Sequence, residues 1–206
     1  LLRTYARTVA QLPSTTVASA QPVVVYGQRG VVDARVSTAR GPVAGAPVRL
    51  EALPYGARTW MGIANGVTDA RGYVRLTAAP SRNASYRVVA LAGWDRLASV
   101  SAPVASVVRP ALTSSFSPTS VRAGGLVRVT GGAAPAVAGT RVQLVRVTGS
   151  GSTVQYSIAA QGLVGADGRY SMAFLPSRGT FTYQVRVLAT AYASFAYGPA
   201  VLVRAY

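Results

Sequence analysis

The sequence predicts an all-β protein made of two tandem Greek-key β-sandwiches, preceded by an extra N-terminal strand. Three observations lead to this prediction. Small and β-branched residues dominate, with 21 glycines and 12 prolines between short runs of alternating polarity, a composition typical of strands and turns. No window shows the periodicity of a long amphipathic helix. One ordered set of motifs occurs twice.

The repeat is visible as five matched positions, each pair about 96 residues apart. Chance similarity between valine-rich strands would not keep the order and spacing, so the matches indicate two copies of one structural unit. The matched pairs are Pro22 with Pro118, Gly45 with Gly139, Gly72 with Gly168, Tyr86 with Tyr183, and Pro103 with Pro199.

Each unit contains about seven or eight short alternating runs, which is typical of a two-sheet sandwich. The domains follow as a strand or linker at 1–13, a first domain at 14–109 and a second at 110–206. In the first domain the strands are predicted at 15–20, 23–25, 30–37, 46–53, 58–64, 73–78, 85–92 and 99–108. The predicted inward-facing residues are Val31, Val36, Val48, Leu50, Val74, Leu76, Tyr86, Val88, Val127, Val129, Val142, Leu144, Tyr183, Val185 and Val187.

These motifs resemble the immunoglobulin-like (Ig-like) domains of bacterial secreted and cell-surface proteins. SPTSVRAGGLVRV (117–129) is similar to the opening strands of such modules and AGTRVQLVRV (138–147) to the third strand. TDARGYVRL (68–76) and GADGRYSM (165–172) are similar to their characteristic turn. The resemblance covers residues 14–206 and implies a secreted or surface location, but the cysteine pair and core tryptophan of antibody domains are absent.

The residue inventory argues against catalysis. The chain has no histidine, cysteine or lysine, and its acidic residues are only Asp33, Glu51, Asp69, Asp95 and Asp167. The usual general bases, nucleophiles and metal ligands are therefore nearly all missing. The sequence predicts a protein that is not an enzyme, with no cofactor and no metal site. Asp69 and Asp167 are expected to cap backbone N–H groups of turns.

The N-terminal segment alternates as a strand but lies outside both units. Because twelve extended residues span about 40 Å, we expect this segment to add to the sheet edge of a neighbouring molecule. The alternative is that it is the end of an earlier repeat and packs locally. The residues predicted to form the donated strand are Leu1, Leu2, Arg3, Tyr5, Arg7, Val9 and Leu12. Those predicted to form a second subunit contact are Tyr192, Phe195, Tyr197, Arg204 and Tyr206.

All 21 basic residues are arginines and the net charge is +16, which suggests either solvated sheet faces or a surface for polyanions. Trp60, Trp94, Arg58 and Arg96 are the candidate contacts for an anionic cell-wall polymer or glycan. For the tryptophans, packing in the core or between the domains is the favoured alternative. No nucleic-acid motif is present. Arginines recur once per strand on predicted solvent faces, among them Arg49 and Arg87.

The sequence therefore predicts a non-catalytic extracellular structural or adhesive protein. Its copies, or neighbouring Ig-like repeats, would join head-to-tail into a filament or surface stalk through the N-terminal strand. The alternative is an accessory module of a secreted enzyme that binds anionic cell-wall polymer or glycan. No run approaches the length of a membrane span.

Overall fold

The computed structural model describes residues 11–206, and the predicted all-β fold is confirmed there. The described residues form two compact units, the first comprising 11–24 and Gln28–Val107, the second Val25–Gly27 and Val108–Tyr206. The domain limits 1–13, 14–109 and 110–206 stay predictions.

The first unit is a sandwich of two sheets. One sheet has the order β1-β3-β4, with β7 also paired to β3; the other has the order β2-β10-β8-β5-β6, with β9 paired to β8. The chain therefore crosses between the two sheets several times, as in a Greek key. The strands are β1 (Ser14–Ala20), β2 (Val23–Val25), β3 (Gly30–Thr38), β4 (Gly41–Pro42), β5 (Pro47–Pro54), β6 (Met61–Val67), β7 (Tyr73–Ala78), β8 (Ala84–Ala90), β9 (Ser99–Val100) and β10 (Val104–Arg109).

The second unit repeats this arrangement. Its smaller sheet has the order β11-β13-β16 and its larger sheet the order β12-β18-β17-β14-β15, with β12 running parallel to β18. Apart from a short 3₁₀ turn at Gly151–Thr153, its elements are strands. They are β11 (Ala111–Ser117), β12 (Ser120–Val121), β13 (Val127–Ala134), β14 (Arg141–Thr148), β15 (Gln155–Leu163), β16 (Arg169–Phe174), β17 (Gly179–Val187) and β18 (Ala196–Ala205).

Alternating side chains from the two sheets of each unit form its core. In β7 and β16 every second residue is buried, because successive side chains of a strand point to opposite faces. Leu50 and Leu144 are fully buried at the centre of their units. Of the predicted inward residues only Val31 is wrong. It is half-buried, because the core face of β3 is formed by Val32, Ala34 and Val36.

The matched turns keep the same backbone conformation in both units. Gly72 and Gly168 both have φ of +77°, which other residues rarely adopt. Beside them, the Asp69 carboxylate accepts hydrogen bonds from the N–H groups of Arg71 and Tyr73, both 2.8 Å long. Asp167 accepts one from the N–H of Arg169 at 3.0 Å. The predicted capping roles of both aspartates are confirmed.

The outermost strands of the two larger sheets carry the same irregularity. Ile63 in β6 is an extra residue between the pairs that Gly62 and Ala64 form with β5. Ala159 in β15 is an extra residue in the same place of the second unit. Both are β-bulges, which bend and twist an edge strand. Strand β6 also begins three residues later than predicted, because residues 58–60 precede the ladder.

Candidate functional site

The edges of the larger sheets are the most distinctive surfaces of the described chain. Strands β6 and β15 each end the order of their sheet, so one side of each backbone faces away from the ladder. Neither strand contains a charged residue. Natural edge strands usually carry charge or proline against unwanted pairing. The large exposed apolar side chains are Met61, Ile63 and Val67 on β6, and Tyr156, Ile158 and Leu163 on β15.

The edge strands of the smaller sheets differ from β6 and β15. Strand β1 exposes one large apolar side chain, Val17, and none of the exposed large apolar residues lies on β11. Strands β7 and β16 contain Arg75 and Arg169. Among the edge strands within residues 11–206, only β6 and β15 therefore combine a long edge, no charge and several exposed apolar groups.

In the first unit, the outer face beside β6 is held by an ion-pair cluster. Glu51 on β5 is 5% exposed, and its carboxylate lies 2.6 Å from Arg49 Nη2 and 2.8 Å from Arg87 Nη2. Burial acts to raise the pKa of Glu51, but hydrogen bonds from Arg87 and Arg49, and their charges, outweigh it, so this pKa lies below its ordinary value. Trp60 covers the cluster, with the Arg87 guanidinium carbon 4.4 Å from its ring centroid.

In the second unit, the equivalent outer face carries an aromatic cluster, next to a hydrogen bond of 2.8 Å from Arg186 Nε to Gln143 Oε1. Val145 replaces Glu51 and is fully buried. Tyr156, in the place of Trp60, stacks on Tyr197 at a centroid distance of 5.7 Å, and Phe195 meets Tyr197 edge-on at 6.0 Å. All three rings are exposed on their outer sides. The two sheet faces therefore present different chemistry on the same scaffold.

An open groove lies between the two sheets of each unit, beside the exposed edge. The groove of the first unit has a volume of about 700 Å³ and includes Val67 of β6 and Arg75 of β7. That of the second unit has about 680 Å³ and includes Leu163 of β15 and Ser171 of β16. The grooves occupy equivalent places, so they are a property of the repeated unit.

The predicted N-terminal donor strand falls largely outside the described residues. Leu1, Leu2, Arg3, Tyr5, Arg7 and Val9 belong to that part of the chain. Leu12 differs from the expectation. Its N–H donates to the carbonyl of Asp95 at 3.0 Å, and its carbonyl accepts from the N–H of Leu97 at 2.9 Å. Because these bonds lie within one chain, Leu12 is part of its own first unit.

The predicted glycan or anion contacts have unequal environments. Trp94 is 78% exposed, so the interpretation of Trp94 as a core residue is wrong. Arg96 is 6% exposed and pairs with Asp95 at 3.2 Å, which limits its access to a large polymer. Arg58 is exposed. Trp60 is half-buried and engaged with Arg87. The role of these four residues stays a prediction.

The predicted C-terminal contact residues are exposed. Phe195 and Tyr197 lie together in the aromatic cluster beside β15. Arg204 and Tyr206 lie at the other end of β18, where their N–H groups donate to carbonyls of Thr119 and Val121. Tyr192 is 41% exposed in the loop before β18. Sequence reasoning missed Ile158, although the uncharged run QYSIAAQGL was a visible signal.

No family model matches the chain, and no curated protein sequence matches it. Among solved structures, the chain is similar to the D0-D1 domain of intimin, with 14% identity and a TM-score of 0.34, covering 92% of this chain and 100% of that one. It is also similar to invasin, a bacterial integrin-binding protein, with 20% identity and a TM-score of 0.42. That match covers 93% of this chain and 38% of the invasin chain.

Within residues 11–206 there is no helix with the length and apolar character needed to cross a bilayer. The same residues contain no group of three or more histidine, cysteine, aspartate or glutamate side chains that could hold a metal ion.

Proposed function

We propose that the chain is a non-catalytic structural or adhesive protein of the cell exterior, whose copies join head-to-tail by strand addition. The main observation behind this proposal is the pair of long, uncharged sheet edges, β6 and β15, each with exposed apolar side chains. An edge of this kind is a template for an added strand. A chain that lacks histidine, cysteine and lysine has few groups for catalysis, which supports a structural role.

The N-terminal residues supply a matching strand. Residues 1–10 alternate between a larger set, including Arg3, Tyr5 and Arg7, and a smaller set, including Thr4 and Ala6. Since Leu12 pairs within its own unit, the donated part is residues 1–10. A head-to-tail contact that does not close into a ring propagates as a filament.

The test is the assembly state of the full chain, of a chain that begins at Gln11, and of the point variant Ala6→Pro. Proline removes a backbone donor and disfavours an internal strand position. We expect long particles by electron microscopy and light scattering for the full chain and for the control Ala6→Gly, which keeps the N–H. We expect none for the chain that begins at Gln11 or for Ala6→Pro. Monomers in all four samples, or filaments that persist without residues 1–10, would overturn the proposal.

A second candidate is an accessory module that binds an anionic cell-wall polymer or glycan. The observation that favours it is Trp94, which is 78% exposed and therefore accessible for stacking on a sugar. Retention on immobilised teichoic acid should then fall as salt rises, because salt screens surface charges, and should fall further in Trp94→Ala. Retention that is equal for both chains at every salt concentration would reject this candidate.

A further inference from the structure

We propose that β15 of the second unit, rather than β6 of the first, is the acceptor edge, and that its occupant is residues 1–10 of a second copy. The inference rests on the proposed function and adds the location of the contact. The strand would extend the order β12-β18-β17-β14-β15 by one, beside the groove that Leu163 lines.

Length is the first argument for β15. An extended chain rises about 3.3 Å per residue, so a ten-residue donor spans about 33 Å. Strand β15 has 9 residues and β6 has 7, which correspond to about 30 Å and about 23 Å. The longer edge can therefore pair with more of residues 1–10 than β6 can.

The outer face beside each edge is the second argument. In the first unit the Trp60 ring already covers Arg87, and Glu51 already pairs with two arginines. An incoming Arg3 or Arg7 would have to displace an existing partner there. Beside β15, the rings of Tyr156 and Tyr197 form an exposed aromatic surface. Aromatic faces attract arginine and pack against tyrosine.

The side chains along the edge are the third argument. Ile158 lies in β15 opposite Val145, whereas the equivalent position of β6 is Gly62, where an added Cβ would lie 3.1 Å from Arg49 Cδ. The edge of the second unit therefore offers an apolar side chain where the first offers the stem of an arginine. At this position, apolar contact with Leu1, Tyr5 or Val9 is therefore offered by β15 and not by β6.

The absence of native cysteine makes disulfide mapping specific. One copy carries a single cysteine at one of positions 3–8. The other carries Ser157→Cys or Gln161→Cys, one on each side of the Ala159 bulge. The matched acceptors in β6 are Met61→Cys and Asn65→Cys. Because a disulfide requires Cβ atoms about 4 Å apart, we expect cross-linked dimers at least about tenfold more abundant with β15 acceptors, a preference of about 1.4 kcal/mol.

A second pair of variants tests the edge without cross-linking. Leu163 and Val67 are 62% and 61% exposed at the same place in the two units, so Leu163→Lys and Val67→Lys are closely matched. A charge on an edge strand opposes pairing. We expect Leu163→Lys to weaken assembly about tenfold or more and Val67→Lys to leave it unchanged. Both variants should have the melting temperature of the parent chain.

The outcomes separate this inference from the proposed function. Filaments that need residues 1–10 but cross-link through Met61→Cys or Asn65→Cys would overturn the choice of β15 and keep strand donation. The same follows if such filaments cross-link through neither edge or survive Leu163→Lys. If the parent chain forms no filaments, strand donation itself fails, and the location of its acceptor fails with it.

Discussion

The indole ring of Trp60 lies over the guanidinium of Arg87, with the Arg87 Cζ atom 4.4 Å from the ring centroid. Arg87 also binds Glu51 through Nε and Nη2, so one arginine joins an aromatic ring to a buried carboxylate. The contact fixes the residue that immediately precedes the edge strand β6. It therefore ties the position of this edge to the outer face of its own sheet.

Replacing Trp60 by leucine should lower the unfolding free energy of the first unit by about 1–2 kcal/mol, because a cation–π contact and covered apolar surface are lost. Urea unfolding of Trp60→Leu, Arg87→Gln and the double variant forms a double-mutant cycle. We expect a coupling of about 0.5–1 kcal/mol. Additive effects would show that the two side chains are neighbours without interaction.

The Glu51 cluster should make stability depend on acid pH. The pKa of Glu51 in the folded chain lies below its ordinary value of 4.5. The stabilisation is therefore fully present above about pH 4.5 and is lost as the pH falls through the folded pKa. Glu51→Gln should cost about 1–3 kcal/mol near neutral pH, and the difference from the parent chain should narrow in acid. Urea titrations across this range give the comparison.

Asp33 provides the matched control for Glu51. Arg75 binds it at 2.8 Å, but the Arg75 side chain is 73% exposed and the Asp33 side chain is 41% exposed. The hydrogen bond and charge of Arg75 also lower the pKa of Asp33. Exposed pairs contribute little, so Asp33→Asn should change stability by less than about 1 kcal/mol. An equal cost for both variants would contradict the role of burial at Glu51.

Sequence reasoning located the strands and cores well because both rest on local alternation. It failed where contacts between side chains that are distant in sequence decide whether a residue faces solvent. Arg49 and Arg87 were assigned to solvent, but they converge on Glu51 because β5 and β8 pair with Glu51 opposite Arg87. That register depends on residues 36 positions apart.

The prediction that Val31 faces inward was wrong for a simpler reason. Three adjacent small or apolar residues, Gly30 to Val32, leave it ambiguous from sequence alone which residues of β3 face the core.

The second unit depends on a glycine beneath Tyr170. The Tyr170 hydroxyl donates to the carbonyl of Thr113 at 2.5 Å, and burial raises the pKa of Tyr170 to about 12. A Cβ at Gly131 would collide with the carbonyl oxygen of Thr113 and with the Tyr170 ring. Backbone cannot move away cheaply, so the collision should be costly.

Gly131→Ala should therefore lower the unfolding free energy by about 2 kcal/mol or more, while Gly132→Ala should be nearly neutral. At Gly132 an added Cβ would lie 3.4 Å from Thr113 Oγ1, which is ordinary contact. Thermal unfolding followed by circular dichroism measures both. Equal melting temperatures for the two variants would show that β11 shifts to make room.

The bulge in β15 should restrain pairing between the uncharged edges of two chains. Ala159 is the extra residue, and Ala160 and Ile158 remain opposite Leu144 and Val145. Deleting Ala159 therefore keeps every other side chain on its face but straightens the edge, because bulges twist edge strands away from partners.

In chains that begin at Gln11, and so lack the proposed donor, this deletion should raise concentration-dependent self-association about tenfold or more. Sedimentation of the deleted and undeleted chains measures the difference, and circular dichroism checks that both are folded. Deletion of Ile63 in β6 is the matched control. If deleting Ala159 left association unchanged in folded chains, the bulge would serve the shape of the strand and not its protection. If deleting Ile63 also raised self-association, the bulge would limit pairing at both edge strands.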